Sequence, residues 1–385
     1  MKTRAAILWE ANTPWSVEEI TLDPPKAGEV MIKLVGSGLC HSDDHLLTGD
    51  MVMPAEVQAD LGIEQLPIVG GHEGAGEIVE VGPGVTDVKV GDHVVLAFIP
   101  ACGKCSKCSQ GMQNLCELGQ FLLAGRQVTD FTARHHSADG TDLGIMCCIG
   151  TFGEYTVCSE ASVIKIDKDI PLDKAALVGC GVTTGWGSAN YAAEVKPGET
   201  VVVVGNGGIG MNAIQGARMA GAERIIAVDI NEKKHELAQL FGATHTASSV
   251  EEALPLITEM TQGKMADKAI ITIGVGSGAI IQDTMALIGT NGRCVHTSVA
   301  PIMEQDVKLN LFELTLFQKQ LVGSIFGSAN PRYDIPRLLG MYQNGTLMLD
   351  ELVTKTYDLD DINDGYDAMR SGDNIRGMVM YDHAA

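Results

Sequence analysis

Residues 200–210 read TVVVVGNGGIG. Thr200–Val204 is a continuous apolar run, the pattern of a strand covered on both faces in a parallel sheet. The glycines at 205, 207 and 210 fit G-x-G-x-x-G, with Gly208 inside the turn, and 211–220 continues with helical periodicity. A strand that runs through such a turn into a helix is the setting in which this spacing holds a dinucleotide. Gly205 permits the sharp turn, Gly207 lets a pyrophosphate approach the backbone, and Gly210 lets helix and strand pack closely. The helix N-terminus then offers unpaired N–H groups to phosphate. Asp229 closes the next strand candidate, Arg224–Val228. A carboxylate there accepts from the adenosine ribose hydroxyls and repels the extra phosphate of NADP, so NAD is the expected cofactor. The competing reading is an ordinary glycine turn with a surface aspartate.

Outward from this unit the pattern repeats. A second helix is expected from near Asn231, and apolar segments at 268–273, 293–298 and 321–324 add strands. Strand, helix and strand in this order give right-handed crossovers and a doubly wound α/β sheet. Residues 1 to about 120 read differently. Short strand candidates at 29–35, 76–81 and 93–98, punctuated by glycine turns, predict an irregular barrel. Short mixed elements return after about 324 and end in GMVMY at 377–381. A chain of 385 residues exceeds one ordinary core. The expected division is therefore a β-rich domain of 1–181 and 325–385, with the Rossmann-type domain, 182–324, inserted.

The formal charge of -22 comes from 27 basic and 49 acidic side chains. Such a surface repels phosphate backbones and anionic lipid heads, which argues against nucleic-acid and membrane partners. The start, MKTRAAILWE, lacks the apolar core and small-residue cleavage site of a signal peptide. A reducing, cytoplasmic setting is expected, with cysteines as metal ligands or core residues rather than disulfides.

Four of the ten cysteines lie in CGKCSKCSQGMQNLC at 102–116. The spacing C-x2-C-x2-C-x7-C lets Cys102, Cys105, Cys108 and Cys116 close a tetrahedron around zinc. Four thiolates leave no open position, so such a site is structural and supplies folding energy to a loop with little core of its own. An iron–sulfur cluster or free thiols are the competing readings. Reactive chemistry is sought elsewhere, in GLCHSDDH at 38–45, GGHEGAG at 70–76 and VGCGVTTGWG at 178–187. Taken singly, a Cys or His in such segments is more often a core residue than a ligand.

Taken together and in this order, these segments, the cysteine loop and the glycine turn resemble the zinc-dependent medium-chain alcohol dehydrogenases. The resemblance extends to GSIFG at 323–327 and SGDNIR at 371–376. It implies a GroES-like catalytic domain around the inserted Rossmann domain, two zinc ions per chain and NAD. Cys40, His72 and Cys180 match the catalytic zinc ligands, leaving a fourth position open. Glu73 sits behind the metal. Asp43 matches the carboxylate that orients the ligand histidine. Ser42 and His45 match a proton relay to solvent. Thr184 and the backbone of Ser324 and Phe326 match positions at the nicotinamide. Arg376 matches a residue at the pyrophosphate, and Met51 and Phe98 match pocket walls.

Two departures stand out. His41 occupies a position where many relatives carry an arginine for the pyrophosphate, and the segment Met51–Leu66 is longer than in the animal enzymes. A finer likeness, to the bacterial nitrosoaniline-dependent alcohol dehydrogenases, rests on 38–45, on that longer segment and on 120–147. It implies an NAD that stays bound while a small alcohol or aldehyde is turned over, with reoxidation in place by a carrier of the mycofactocin type. The alternatives are freely exchanging NAD, a thiol-dependent formaldehyde dehydrogenase, and a non-catalytic NAD-binding redox sensor. The family also implies a homo-oligomer, joined near 321–326. The remaining cysteines, Cys147, Cys148, Cys158 and Cys294, are read as core or partly exposed thiols. His135 and His136 are expected at solvent or an interface.

Overall fold

The structure is a computed structural model that describes residues 1–383. It divides into two compact units, one of residues 1–180 with 330–385 and the other of residues 181–329. The second division thus falls at 329/330, after the turn at Phe326–Ser328 rather than before it. Helix Gly181–Gly187 packs on that turn: a side chain at Gly327 (φ +63°) would strike the Thr184 carbonyl at 2.4 Å. Residues 326–328 therefore stay with the inserted unit.

The inserted unit is one six-stranded parallel sheet. Its spatial order is His245–Ala247, Arg224–Val228, Thr200–Val204, Ala266–Ile271, Ile288–His296 and Gln320–Gly323. The first strand in the chain lies third, so the order reverses between Thr200–Val204 and Ala266–Ile271, where such sheets bind ligands. All five residues of Thr200–Val204 are buried, as a strand covered on both faces requires. The following helix spans Gly208–Met219 and starts earlier than its apolar periodicity suggested, because Gly207 adopts an extended backbone and serves as its cap. Gln320–Gly323 is an edge strand, none of whose residues is buried.

The other unit carries a small closed barrel and a seven-stranded sheet. The barrel contains Lys2–Leu8, Ser16–Leu22, Ile68–Val69, His135–His136 and Asp142–Ile145. The sheet turns on the long strand Glu29–Gly38. That strand pairs antiparallel with Gly74–Val81, with Tyr155–Ser159 and with the C-terminal strand Arg376–Met380. Strands from both sides of the inserted unit therefore share one sheet. Its core holds Ile32, Leu34, Ile78 and Leu96, capped by Trp15, Phe152 and Tyr366. The Trp15 and Phe152 rings meet edge-on at 5.6 Å.

Of the histidines at 135 and 136, only the first departs from expectation. Successive strand residues face opposite sides. His135 turns inward and is buried, its Nε2 3.3 Å from Thr156 Oγ1, and burial pushes its ring down to about 3. His136 is half-buried between Asp23 (3.1 Å) and Asp142 (2.9 Å). Beside them Arg134 is fully buried and grips Glu29 through Nε (2.8 Å) and Nη2 (2.7 Å). Cys147, Cys148, Cys158 and Cys294 are all buried, and burial raises each thiol, to about 12 for Cys147 and Cys294. No helix among the described residues is long and apolar enough to cross a membrane.

Candidate metal centre and cofactor turn

Strand Glu29–Gly38 ends at a short turn into helix His41–Leu47, whose N-cap is Cys40. This puts the Cys40 thiol at the sheet's end. Strand Gly74–Val81 runs antiparallel beside it, so His72 and Glu73, which precede that strand, arrive at the same end. Cys180 comes from the turn before residue 181, where Gly179 packs so closely on Leu96 that a Cβ would sit 2.4 Å from its carbonyl. Ligand atoms of Cys40, His72, Glu73 and Cys180 lie within 4.8 Å of one another, and all four residues are buried.

The surrounding contacts orient this set. Asp43 is fully buried and receives the Gly71 N–H on Oδ1 at 2.8 Å, while His72 Nδ1 stands 3.0 Å from Oδ2. Gly71 sits at φ +86°, a conformation that aims its N–H inward and strains any other residue. With Nδ1 facing the Asp43 carboxylate, the buried Nε2 is the nitrogen that could ligate a metal. The Phe98 ring stacks edge-on against His72 at 5.8 Å.

Charge in the pocket suits a thiophilic cation. The Cys180 hydrogen bond to Cys40 holds the Cys40 thiol well below the ordinary range, against burial, and pushes Cys180 well above it. Burial alone would lower the His72 ring, but the negative charges of Asp43 and Cys40 outweigh it and raise the ring. Metal binding displaces such protons from thiol and imidazole. Two sulfurs and one imidazole, all buried, fit a zinc site with an open position.

Glu73 has a partner that sequence order hides. The Arg376 guanidinium, expected at a cofactor pyrophosphate, pairs directly with the Glu73 carboxylate in this structure. Gly38 makes room for the pair, since a Cβ there would lie 2.3 Å from Glu73 Oε2. Sequence signals for this pair exist only in hindsight: a buried glutamate among glycines needs a cation.

Ser42 and His45 share helix His41–Leu47, with Ser42 Oγ 3.9 Å from Cys40 Sγ. His45 is buried, and its Nδ1 stands 3.3 Å from Asp50 Oδ2, a group the sequence did not single out. Asp50 in turn accepts the Thr48 hydroxyl at 2.9 Å. His41 is exposed on the first turn, and Met51 and Phe98 are half-buried.

The cysteine loop folds as a separate lobe. The four sulfurs of Cys102, Cys105, Cys108 and Cys116 lie within 4.8 Å of one another, with Cys102–Cys108 at 4.0 Å and Cys105–Cys116 at 3.9 Å. A tetrahedron with metal–sulfur bonds of about 2.3 Å has edges of roughly 3.8 Å. Backbone N–H groups of Cys108 and Glu117 point at the Cys105 sulfur and lower its thiol to about 6. Arg332 pins the lobe by donating Nε to the Ala101 carbonyl at 2.6 Å and pairing with Asp87.

In the inserted unit Gly205 takes φ +94°, and a side chain at Gly210 would sit 1.9 Å from the Gly205 carbonyl. Gly207, by contrast, has nothing within 4 Å of its would-be Cβ, which leaves open ground over the turn. Gly208 begins the helix. Asp229 lies at the end of its strand, accepting the Asn206 N–H (2.7 Å) on Oδ2 and the Asn231 N–H (2.9 Å) on Oδ1. Its carboxylate thus ties the glycine turn to the second strand. Thr184 is buried on helix Gly181–Gly187, Ser324 donates its N–H to the His296 carbonyl at 3.0 Å, and Phe326 is buried at φ +56°.

Comparison with known proteins places this architecture. Residues 26–168 match the family described as alcohol dehydrogenase GroES-like domain, and 208–344 match zinc-binding dehydrogenase. The chain is 50% identical over 381 residues to alcohol dehydrogenase B of Mycobacterium tuberculosis, covering 99% of each. It is equally identical, with the same coverage, to the NDMA-dependent alcohol dehydrogenase of Amycolatopsis methanolica. Among solved structures, an alcohol dehydrogenase zinc-binding domain protein from Burkholderia ambifaria superposes with a TM-score of 0.90 at 30% identity, over 100% of both chains.

Proposed function

The chain belongs to the zinc-binding, GroES-like alcohol dehydrogenases, and on that premise we propose that it oxidises an alcohol to an aldehyde or ketone with an NAD that stays bound. A second electron carrier, of the mycofactocin type, then reoxidises that NAD in place. The observation that carries the reading is the buried convergence of Cys40, His72 and Cys180, with Glu73 beside them. Zinc supplies Lewis acidity toward the alcohol oxygen, and NAD supplies the hydride acceptor.

The chain's own groups do the rest. Asp43 and the Gly71 N–H fix the His72 ring so that Nε2 faces the thiols. Ser42 takes the hydroxyl proton and passes it to His45, which Asp50 holds in place and connects to the half-buried surface. Arg376 supplies the cation that the buried Glu73 carboxylate needs as a partner. Met51 and Phe98 wall the substrate side and exclude water. Gly205, Gly207, Gly208 and Gly210 cradle the pyrophosphate, Asp229 selects NAD over NADP, and Thr184, Ser324 and Phe326 hold the nicotinamide.

What favours the retained cofactor is the likeness to the NDMA-dependent relative together with the long segment Met51–Leu66. The edge strand Gln320–Gly323, with Ile325 exposed beside it, joins subunits of a homo-oligomer working in the cytoplasm. Mass spectrometry under native conditions tests the reading. We expect one NAD and two zinc ions per chain, with NAD surviving gel filtration. NAD lost on the column returns the enzyme to the freely exchanging class.

A further inference from the structure

Helix Ile362–Arg370, far along the chain from the proposed zinc ligands, is fastened against the segment that carries Cys40 and Asp43. Gly365 packs so tightly on Leu39, the residue before Cys40, that a Cβ would sit 2.4 Å from Leu39 Cδ1. Farther along, Arg370 donates Nε to Asp44 at 3.0 Å. Near the start of the helix, Asn363 donates to the Trp15 carbonyl (2.9 Å) and accepts the Trp15 N–H (3.0 Å). Tyr366 lies between these anchors in the sequence and is buried. Its ring stands 6.2 Å from those of Trp15 and Phe152. Those two rings close over the turn that leads into His72, where a Cβ at Gly70 would strike the Trp15 ring at 2.5 Å and the Phe152 ring at 2.7 Å.

Apolar packing does not account for the hydroxyl. Tyr366 is 1% exposed, and its Oη completes no hydrogen bond. A phenylalanine would fill the same space without the cost of burying a polar group. Asp43 gives the hydroxyl a purpose. Its Oδ1 accepts the Gly71 N–H at 2.8 Å. Its Oδ2 faces His72 Nδ1 at 3.0 Å and, like the phenol, completes no hydrogen bond. A carboxylate oxygen accepts more than one donor, so Oδ2 has room for both groups. Burial and, after it, the negative charge of Asp43 push the phenol well above its ordinary range. It therefore stays an O–H donor beside that carboxylate.

We infer that Tyr366 is a positioning residue for the reactive metal centre: its hydroxyl donates to Asp43 Oδ2 and holds that carboxylate against the His72 ring. This role presupposes the zinc centre proposed above. Gly71 holds Asp43 on Oδ1 and Tyr366 holds it on Oδ2, so the carboxylate does not swing, and His72 keeps Nε2 turned toward Cys40 and Cys180. Helix Ile362–Arg370 is thereby part of the metal site, although none of its residues is a ligand.

Chelator competition on the full-length, two-zinc enzyme tests the role without turnover, with the lobe zinc as internal standard. Tyr366→Phe should lower zinc affinity at the reactive site about tenfold and leave the lobe zinc unchanged. With cobalt in the reactive site, the same substitution should shift the visible absorption bands, which report the ligand geometry and not the stability of the fold. On an Asp43→Asn background the acceptor is uncharged, and the added loss from Tyr366→Phe should shrink to less than about threefold. Unchanged affinity in Tyr366→Phe, the full tenfold loss repeated on Asp43→Asn, or both zinc ions loosened together overturns the role. The last outcome would make Tyr366 a packing residue. A wild-type chain that holds only the lobe zinc overturns the zinc reading itself, and this role with it.

Discussion

Two clusters in the same unit bring cysteine sulfurs within reach of one ion, and they are built in opposite ways. In the lobe at 102–116 every ligand is local, and backbone N–H groups neutralise the sulfurs. Around Cys40, His72 and Cys180 the ligands come from three distant segments, and side chains set the charge: Asp43 on the histidine, Arg376 on Glu73. As zinc sites, the first would be saturated and would hold a loop, and the second would keep an open position and need a rigid frame to hold it. The difference teaches that ligand type alone does not separate a structural from a reactive site; what lies behind the ligands does.

The largest effect that distinguishes them is chemical. Cys40→Ser should cut alcohol oxidation by about a thousandfold or more and reduce bound zinc from two ions to one, with the melting curve little changed. Turnover that survives this change would refute the assignment of the reactive site. Cys105→Ser should do the reverse. It should cost several kcal/mol of stability in the lobe, seen as early proteolysis around 102–121, while the remaining zinc still supports turnover. If both variants lose activity and stability together, the division of labour drawn here is wrong.

A smaller effect probes the frame. Asp43→Asn keeps the shape but removes the charge facing His72, and zinc affinity at the reactive site should fall about 10–100-fold. Competition with a chelator reads this directly, and the lobe zinc serves as an internal standard. An unchanged affinity would show that the Asp43 charge is not needed to hold the ring for its metal.

The effect most remote from both clusters bears on acid titration of either zinc. His135 is buried neutral, with its folded value near 3 against an unfolded value near 6.5. The unfolded chain therefore binds the extra proton first, and stability present above pH about 6.5 is lost as pH falls toward about 3. One proton gives a slope of at most about 1.4 kcal/mol per pH unit. His135→Gln should flatten urea-derived stability over this window. Zinc release by acid can then be read in that variant without the barrel unfolding beneath it. A slope unchanged by the substitution would assign the acid sensitivity elsewhere.

Legibility in the sequence followed locality. The glycine turn at 205–210 and the cysteine loop at 102–116 could be read because their geometry is imposed by neighbours in the chain. Gly205 at φ +94° and Gly210 against its carbonyl are backbone demands that only glycine meets. Cys40, His72 and Cys180 were proposed together through family likeness, since no spacing links them. The Arg376–Glu73 and Arg134–Glu29 pairs, and Asp50 beneath His45, are not legible in the sequence because a charged residue shows no sign there of whether it will be buried. The burial of His135 is illegible for a related reason: a two-residue strand is too short to display alternation. Helix Ala55–Leu61, with no buried face, carries no periodic signal to find.

The pairing of Glu29–Gly38 with Arg376–Met380 has a consequence for biosynthesis. All three proposed ligands of the reactive zinc leave the ribosome long before Arg376 does. Until Arg376 emerges, Glu73 waits without its cation, and Gly36–Gly38 lack their strand partner. A chain cut before Arg376 thus carries the whole inserted unit but an unfinished pocket around Glu73.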